Sequence, residues 1–282
     1  MSVIRLGLIG DNIAASKAPE LHRIAARMYG LDLTYELLVP RDLNLNFDAV
    51  FDRARDQGYR GLNITYPYKE KVVPRLKIDD PSVRSIGACN TVVFGPPQPA
   101  GANTDYTGFI AAFRNNFGTA LPGVVAVAGN GGVGKAIGFA LVRLGAKALR
   151  LFDKDRAKAE NLARALATFY PGINVTVAAS IEQASDGADG LVNGTPLGMV
   201  GHGGSAFPET VFNRQQWAFD AVYTPIDTPF LLGSRKAGLA VMSGYELYFH
   251  QGVDAFRIFT GCEIDPIALR NAIETLPSKP AM

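Results

Sequence analysis

Residues 124–137 read VVAVAGNGGVGKAI, a short apolar run followed by a glycine-rich turn. The apolar run, Val124 to Ala128, predicts a strand that is buried on both faces. The residues after the turn, Lys135 to Leu144, have helical periodicity. Gly129, Gly131 and Gly134 therefore lie where a strand turns into a helix, in the spacing G-x-G-x-x-G. This context favours a dinucleotide-binding unit over a glycine turn with a purely structural role.

The glycine-rich turn supplies the first candidate cofactor-binding residues. Glycines permit the tight turn and the close approach of the backbone to a pyrophosphate. The N-terminus of the following helix offers N–H groups and a partial positive charge to the phosphates. The candidates are Gly129, Asn130, Gly131, Gly132, Val133 and Gly134.

The next predicted strand, Ala148 to Phe152, ends at an acidic residue, Asp153. A carboxylate at this point, about 20 residues past the glycines, can accept hydrogen bonds from the adenosine ribose and would repel a 2′-phosphate. Asp153 therefore favours NAD as the cofactor. Lys154, a further cofactor-binding candidate, and Arg156 are basic and could hold a phosphate, so NADP stays as the less favoured alternative.

Outward from this motif, the chain alternates strands with helices, which predicts an α/β fold. We expect strands at Ile4–Ile9, Leu33–Val39, Gly190–Asn193 and Ala218–Val222, a strand from Gly61 that stops before Pro67, and a hairpin of Thr91–Phe94 with Ala100–Asn103. We expect helices at Pro19–Tyr29, Glu70–Leu76, 157–168 and Tyr245–Thr260. The pattern predicts a Rossmann-type doubly wound dinucleotide-binding domain, residues 107–244, and an α/β substrate (catalytic) domain with a mostly parallel sheet, residues 1–106 completed by 245–282.

Composition excludes several classes of protein. The chain has 282 residues, is 48% hydrophobic and 19% charged, and carries a net charge of +2, which is too balanced for a dedicated nucleic-acid binder. No window has the length of a membrane helix or of a signal-peptide core, so we expect no membrane partner and no export. Two separated cysteines fit a reducing cytoplasm, and the three histidines lack metal-ligand spacing, so we expect no metal.

Three further segments carry a family resemblance. They are Gly61-Leu-Asn-Ile-Thr-Tyr-Pro-Tyr-Lys69, Gly87-Ala-Cys-Asn-Thr91 and Asn103-Thr-Asp105. They resemble the motifs G-x-N-x-T-x-P-x-K, G-A-x-N-T and N-T-D of the shikimate and quinate dehydrogenases, in the same order and spacing. The resemblance covers nearly the whole chain, and the glycine loop followed by an aspartate is most similar to the NAD-using quinate/shikimate branch.

This resemblance implies an enzyme that transfers hydride between a hydroxyl of shikimate or quinate and a nicotinamide, giving the 3-dehydro ketone. Such a reaction needs a titratable group at the reacting oxygen, because a hydroxyl proton must leave as the hydride leaves. Lys69 is expected to hold that oxygen and shuttle the proton, with Asp105 orienting Lys69 and binding the neighbouring hydroxyl. Which of the two catalytic residues carries the proton at each step stays open.

The resemblance also assigns binding residues. Asn63, Thr65, Asn90 and Gln251 map onto contacts with a polyhydroxylated ring, and the hydroxyls of Ser16 and Tyr223 would receive its carboxylate. On the cofactor side it adds Thr195, Leu197, Met199, Val222 and Gly244, with Leu197 and Met199 at the nicotinamide face. Cys89 lies inside a motif but lacks a nearby base, so packing is expected for it.

One position departs from the family pattern. The family shows a second Ser or Thr two residues after Ser16, and this chain has Ala18. The same chemistry on a modified ring, such as an aminoshikimate-like acid, is therefore an alternative, and a non-catalytic NAD-binding regulatory module is another. Biosynthesis of aromatic amino acids or catabolism of quinate, and a monomer or a homodimer, also stay open.

Overall fold

The computed structural model describes residues 3–275. Within them the chain forms two units, the first made of residues 3–79, 89–104 and 252–275 and the second of residues 80–88 and 105–251. Residues 1, 2 and 276–282, which the sequence assigns to the substrate domain, lie outside the described residues.

The elements alternate along the chain. The first are β1 (Ile4–Ile9), α1 (Ala18–Met28), β2 (Leu33–Leu38), α2 (Phe47–Asp56), β3 (Gly61–Ile64), α3 (Pro81–Ile86), β4 (Thr91–Val93) and β5 (Ala100–Ala102). They are followed by α4 (Thr104–Phe117), β6 (Val124–Ala128), α5 (Gly132–Arg143), β7 (Ala148–Phe152), α6 (Arg156–Phe169), β8 (Asn174–Val177), α7 (Ile181–Ser185) and β9 (Gly190–Asn193). The last are β10 (Trp217–Asp220), α8 (Pro229–Lys236), β11 (Ala240–Met242), α9 (Gly244–Thr260) and α10 (Pro266–Glu274).

The first unit contains a five-stranded sheet in the order β2-β1-β3-β4-β5. β1 pairs in parallel with β2 and β3, whereas β4 and β5 form the predicted antiparallel hairpin. Apolar side chains of β1 pack with Tyr35 and with Phe259 from the end of α9. The end of α9 therefore helps to form the core of this sheet, although it lies far from the strands along the chain.

The second unit contains a six-stranded parallel sheet in the order β11-β10-β9-β6-β7-β8. Val125 and Val127 of β6 belong to one apolar core, and Ala126 and Ala128 belong to another. Because alternate residues of a strand point to opposite faces, helices cover both faces of this sheet. The predicted Rossmann-type, doubly wound fold is confirmed.

The register of this sheet aligns the strand ends. Ala128 at the end of β6 pairs with Phe152 of β7 on one side and with Asn193 of β9 on the other. Asn193 in turn pairs with Asp220, the last residue of β10. The loops that leave these four strands therefore start from one edge, which is where open α/β sheets bind ligands.

The predicted helix at Glu70–Leu76 is wrong. The segment forms turns and a single 3₁₀ turn at Val73–Arg75. Pro74 has no N–H to donate to the Glu70 carbonyl, so an α-helical ladder cannot run through it. The Val73 N–H instead bonds to the carbonyl of Glu70, three residues back, at 3.2 Å.

The predicted strand Ala218–Val222 is shifted, because β10 runs from Trp217 to Asp220. The Val222 N–H donates to Oδ1 of Asp220 at 2.9 Å rather than to a neighbouring strand, so the chain turns after Asp220. The helix predicted at Lys135–Leu144 begins three residues earlier, at Gly132. The helices predicted at Pro19–Tyr29 and 157–168 differ from the observed ones by one residue at each end, and Tyr245–Thr260 and Leu33–Val39 differ by one residue at one end.

Candidate functional site

The glycine-rich loop leads from β6 into α5. Gly131 is the N-cap of α5 and no side chain caps the helix, so no capping side chain takes the N–H groups of its first turn. Gly129 has a φ of 85°, and a Cβ at Gly134 would overlap the Gly129 carbonyl oxygen. A Cβ at Gly131 would meet no heavy atom within 4 Å, so this glycine borders open space. The loop fits a pyrophosphate resting against exposed backbone.

The glycine loop is bonded to the end of β7. The Asn130 N–H donates to Oδ2 of Asp153 at 2.7 Å, and Nδ2 of Asn130 donates to the Phe152 carbonyl at 2.8 Å. Oδ1 of Asp153 accepts from the N–H of Asp155 at 2.9 Å. Each carboxylate oxygen can accept a second hydrogen bond, so Asp153 keeps acceptor capacity for ribose hydroxyls. Asp153 thus also orients the loop, a role that the sequence did not indicate.

The two basic residues after Asp153 differ. Lys154 is exposed. Nε of Arg156 donates to Oε1 of Glu160 at 2.8 Å, one turn along α6. This ion pair is exposed and uses Nε, so the terminal nitrogens of Arg156 keep donor capacity for a phosphate.

Thr195, Leu197 and Met199 lie in the loop after β9, which we call the 194–199 loop. Oδ1 of Asn193 accepts from the N–H and the hydroxyl of Thr195, at 2.9 and 2.7 Å. Oγ1 of Thr195 accepts from the Leu197 N–H at 3.1 Å. A Cβ at Gly129 would lie 2.6 Å from Cγ2 of Thr195, so the 194–199 loop packs directly on the glycine loop.

Asp220 is fully buried at the end of β10. It accepts hydrogen bonds from Nδ2 of Asn193 at 2.9 Å and from the Thr228 hydroxyl at 2.6 Å, besides that of Val222. Burial raises the pKa of Asp220 to about 6, against the opposing effect of the Thr228, Val222 and Asn193 hydrogen bonds. Asp220, Asn193 and Thr228 were not candidates from the sequence, although an aspartate inside an otherwise apolar strand is a signal that could have found Asp220.

The remaining candidates of the second unit lie near the start of α9. A Cβ at Gly244 would lie 2.5 to 2.6 Å from the carbonyl oxygens of Ala221 and Val222, so α9 begins against the loop that follows β10. Tyr223 stacks on Tyr248 of α9, with 5.1 Å between ring centroids. Nε2 of Gln251, also on α9, donates to the Tyr248 carbonyl at 3.0 Å.

In the first unit, Asn63 and Thr65 stand at the end of β3. Asn63 is 6% exposed, and its Nδ2 donates to the Asn90 carbonyl and to Oγ1 of Thr91, both at 3.1 Å. Its Oδ1 accepts from the Tyr35 hydroxyl at 2.9 Å. Both amide hydrogens of Asn63 are therefore used inside the unit.

Asn90 joins the other motif segments. Its Oδ1 accepts from the N–H of Thr104, the first residue of α4, at 2.7 Å, and its Nδ2 donates to Oγ1 of Thr104 at 3.0 Å. The preceding residue, Cys89, donates its N–H to the Lys69 carbonyl at 2.8 Å. Asp105 follows Thr104 in the first turn of α4 and is 6% exposed. Lys69 belongs to the first unit and Asp105 to the second, and their pairing stays a prediction.

His22 is a further buried residue that the sequence did not single out as part of the site. It stacks on Tyr35, with 4.9 Å between ring centroids, and it interacts with the side chain of Asn63. Burial lowers its pKa to about 3, so the imidazole is neutral at physiological pH. Cys89 is buried too, which raises its pKa to about 12 and fits the packing role expected for it.

Ser16 lies in the turn before α1. Its Oγ accepts from the Ala18 N–H at 3.3 Å, and no side chain caps the helix at Lys17. Ala18 is partly buried and packs against the apolar core of the first unit. The methyl group thus stands where the family pattern has a hydroxyl.

Metal-ligand clusters and membrane-spanning helices are not seen in the described part of the chain. Among residues 3–275, no cluster of three or more His, Cys, Asp and Glu could hold a metal ion. No helix in the same range has the length and hydropathy to cross a bilayer.

Comparison with known proteins identifies the family. Residues 8–92 match the model of the shikimate dehydrogenase substrate-binding domain. The chain is 38% identical over 273 residues to a quinate/shikimate dehydrogenase (NAD(+)) of Corynebacterium efficiens, covering 95% of this chain and 96% of that protein. It is 38% identical over 271 residues to a shikimate dehydrogenase (NADP(+)) of Pseudarthrobacter chlorophenolicus, covering 94% and 92%.

A solved structure agrees. The chain superposes on quinate dehydrogenase from Corynebacterium glutamicum in complex with NAD with a TM-score of 0.87 and 34% identity, covering 98% of this chain and all of that one. None of these three relatives is named for a modified ring or for a non-catalytic role. The chain belongs to the shikimate/quinate dehydrogenase family of oxidoreductases.

Proposed function

We propose that this protein catalyses the reversible, NAD-dependent oxidation of a hydroxyl of shikimate or quinate to the 3-dehydro ketone. One observation carries the proposal. Hydrogen bonds join the three motif segments, from the Lys69 carbonyl to Cys89 and from Asn90 to the start of the helix that carries Asp105.

The proposed chemistry divides between the chain and its cofactor. The nicotinamide, when bound, accepts the hydride from the carbon of the alcohol. Lys69 would hold the reacting oxygen and shuttle its proton, and Asp105 would orient the amine and bind the adjacent hydroxyl. Both protein groups return to their starting states when the proton passes to solvent.

We assign the two units different tasks. The unit with the six-stranded sheet would bind the dinucleotide through Gly129–Gly134, Asp153 and Lys154, together with Thr195, Leu197, Met199, Val222 and Gly244. The other unit would bind the ring through Ser16, Asn63, Thr65 and Asn90, with Tyr223 and Gln251 completing the contacts from the dinucleotide-binding unit. Asn63 would position Asn90 and Thr91, since both its amide hydrogens are already donated to them.

One feature of the β7–α6 turn supports NAD over NADP. Asp153, at the end of β7, would repel a 2′-phosphate bound there. The similar proteins include one named for NAD(+) and one named for NADP(+), so the proposal of NAD rests on the charges of this chain. A cytoplasmic location, and a monomer or homodimer, remain predictions from the sequence.

The test is turnover with a panel of cyclohexane and cyclohexene carboxylic acids, followed by NADH or NADPH absorbance. We expect activity on shikimate or quinate and a higher kcat/KM with NAD. Absence of turnover on both acids with either cofactor would contradict the function. Preference for NADP would contradict the cofactor assignment alone.

A further inference from the structure

The Asp220 carboxylate connects three segments of the second unit. Its donors are the side-chain amide of Asn193 at the end of β9, the backbone of Val222 in the loop after β10, and the hydroxyl of Thr228 before α8. Asp220 and Thr228 are both fully buried. In the described part of the chain, Asp220 has no cationic partner, so its charge is balanced by donors alone.

All three partners donate. An ionised carboxylate accepts from all of them at once, because it is an acceptor at both oxygens. A protonated carboxyl or an asparagine side chain would place a hydrogen on one oxygen position, and that group would compete with the hydrogen bond from Thr228. The negative charge is therefore what allows the three donors to converge.

Oδ1 of Asp220 also determines the orientation of the Asn193 amide, because it accepts from Nδ2 of Asn193 and from the Val222 N–H. If the amide were flipped, its oxygen would face the Asp220 carboxylate and its NH₂ group would face the backbone N–H of Thr195, so both contacts would become repulsive. With Nδ2 on Asp220, its second hydrogen reaches the Leu197 carbonyl at 3.1 Å and Oδ1 is free to accept twice from Thr195. Thr195 then accepts the Leu197 N–H.

We propose that Asp220 is a positioning residue that sets the conformation of the 194–199 loop through the Asn193 amide. Its effect on the cofactor rests on the proposed function, in which Thr195, Leu197 and Met199 contact the nicotinamide side of the dinucleotide. The loop also packs on the glycine loop at Gly129, so a change in its conformation reaches the phosphate side as well.

A role in fold stability alone does not account for this arrangement. Burial of an anion opposes folding at neutral pH, and the raised pKa of Asp220 reports that opposition. The carboxylate offsets that opposition by accepting from Asn193, Val222 and Thr228 at once.

The charged groups on the surrounding segments act on one another. Asp227, in the loop after β10, pairs with Arg235 at the end of α8. Glu246, in the first turn of α9, lies 4.0 Å from His250. The residues of β9 and β11 and the first turn of α8 carry no titratable side chain. The pKa of Asp220 accordingly follows burial and its three hydrogen bonds.

The test compares Asp220→Ala, which removes the acceptor of Asn193, with a matched control, Asp189→Ala. Asp189 precedes β9, at the opposite end of that strand, and accepts the Val124 N–H at 2.7 Å. Asp220→Asn is the conservative variant, because its amide oxygen can replace Oδ1. Hydrogen exchange of residues 194–199 is measured by mass spectrometry on the full chain without ligand, and NAD affinity is measured by calorimetry. Thr228→Val, with Thr228→Ser as its conservative partner, gives a second route if Asp220→Ala does not fold.

In Asp220→Ala we expect exchange at Thr195 and Leu197 to accelerate about tenfold or more, because one hydrogen bond near 1.4 kcal/mol corresponds to that factor. NAD should bind several-fold more weakly. Asp220→Asn should keep exchange near that of wild type, and Asp189→Ala should change neither exchange nor affinity. Thr228→Val should shift both in the same direction, and Thr228→Ser should restore them.

Wild-type exchange in the loop of Asp220→Ala, or exchange that rises equally in Asp189→Ala, would overturn the proposal. Accelerated exchange with unchanged NAD affinity would overturn its consequence for the cofactor. Absence of wild-type turnover on shikimate and quinate would reject the proposed function, whereas the exchange experiment on the ligand-free chain would still decide the role of Asp220.

Discussion

One buried network of the first unit consists of amides, hydroxyls and a neutral imidazole, whereas the buried network at the ends of β9 and β10 in the second unit surrounds a carboxylate. In the first unit, Asn63 and Asn90 exchange hydrogen bonds with Thr91 and Thr104. In the second, Asp220 collects three donors. Both networks lie behind segments that the sequence assigns to the site.

Because of this difference, the two networks contribute to stability in opposite ways as the pH falls. The folded pKa of His22 is lowered from 6.5 to about 3, so its contribution is present above pH 6.5 and is lost as the pH falls toward 3. The folded pKa of Asp220 is raised from 3.8 to about 6, so its contribution is present below pH 3.8 and is lost as the pH rises through 6. The same titration therefore weakens the first unit and relieves the second.

The largest expected effect is on the pH dependence of the free energy of unfolding, which should differ between the two networks. Between pH 7 and pH 4, the free energy of unfolding of wild type should fall by ~3 kcal/mol relative to that of His22→Phe. In this pH range the histidine is protonated in the unfolded chain, whereas buried His22 stays neutral in the folded chain. Urea denaturation at a series of pH values measures it. The same comparison with Asp220→Asn should change in the opposite direction. Parallel pH curves for wild type and His22→Phe would contradict the buried neutral imidazole.

The next effect is a loss of turnover from a change in the first unit that leaves cofactor binding by the second unit unchanged. Lys69→Ala should reduce kcat about 100-fold or more, as expected for a lost general acid/base, with NAD affinity nearly unchanged. Lys71→Ala is the control, because Lys71 is half-exposed and pairs with Asp48. If Lys69→Ala kept more than about half of the wild-type turnover, the assigned role would be wrong.

A smaller effect is expected at the cofactor, in the second unit only. Asp153→Asn should raise the ratio of kcat/KM for NADP to that for NAD by about tenfold, because the repulsion of a 2′-phosphate is removed. NAD use should also fall modestly, since Asp153 holds the N–H of Asn130. Kinetics with both cofactors measure the ratio, and an unchanged ratio would reject the role given to Asp153.

The smallest expected effect concerns the hydrogen bond between Tyr35 and Asn63 in the first unit. Tyr35→Phe removes the hydroxyl that donates to Asn63, so the KM for shikimate or quinate should rise several-fold, the scale of one hydrogen bond near 1 kcal/mol. The KM for NAD should not change. Tyr29→Phe provides the control, because that hydroxyl accepts an N–H from Asp265, at the start of α10. Equal effects of the two variants on substrate KM would show that Asn63 is not positioned by Tyr35.

Much of the fold could be predicted from local patterns. The strand–glycine–helix stretch of residues 124–137 contains its own dinucleotide-binding signature, because glycine positions and strand hydrophobicity act within a few residues. The error at Glu70–Leu76 is also local in origin, since Pro74 was present in the pattern and forbids the helix. The three family motifs were predictable because their residue types and spacing are unusual together.

The sequence by itself determined the alternation of strands and helices, the glycine loop and the motif residues, because these depend on neighbours in the chain. Only the tertiary structure decided that Asn90 caps the helix before Asp105, that Asp153 holds the glycine loop, and that Asp220 meets Asn193. Asn90 lies 14 residues from its partner, and Asn193 lies 27 from Asp220. Strand register brings Asn193 and Asp220 together, and no local pattern encodes which buried polar groups a parallel sheet places side by side.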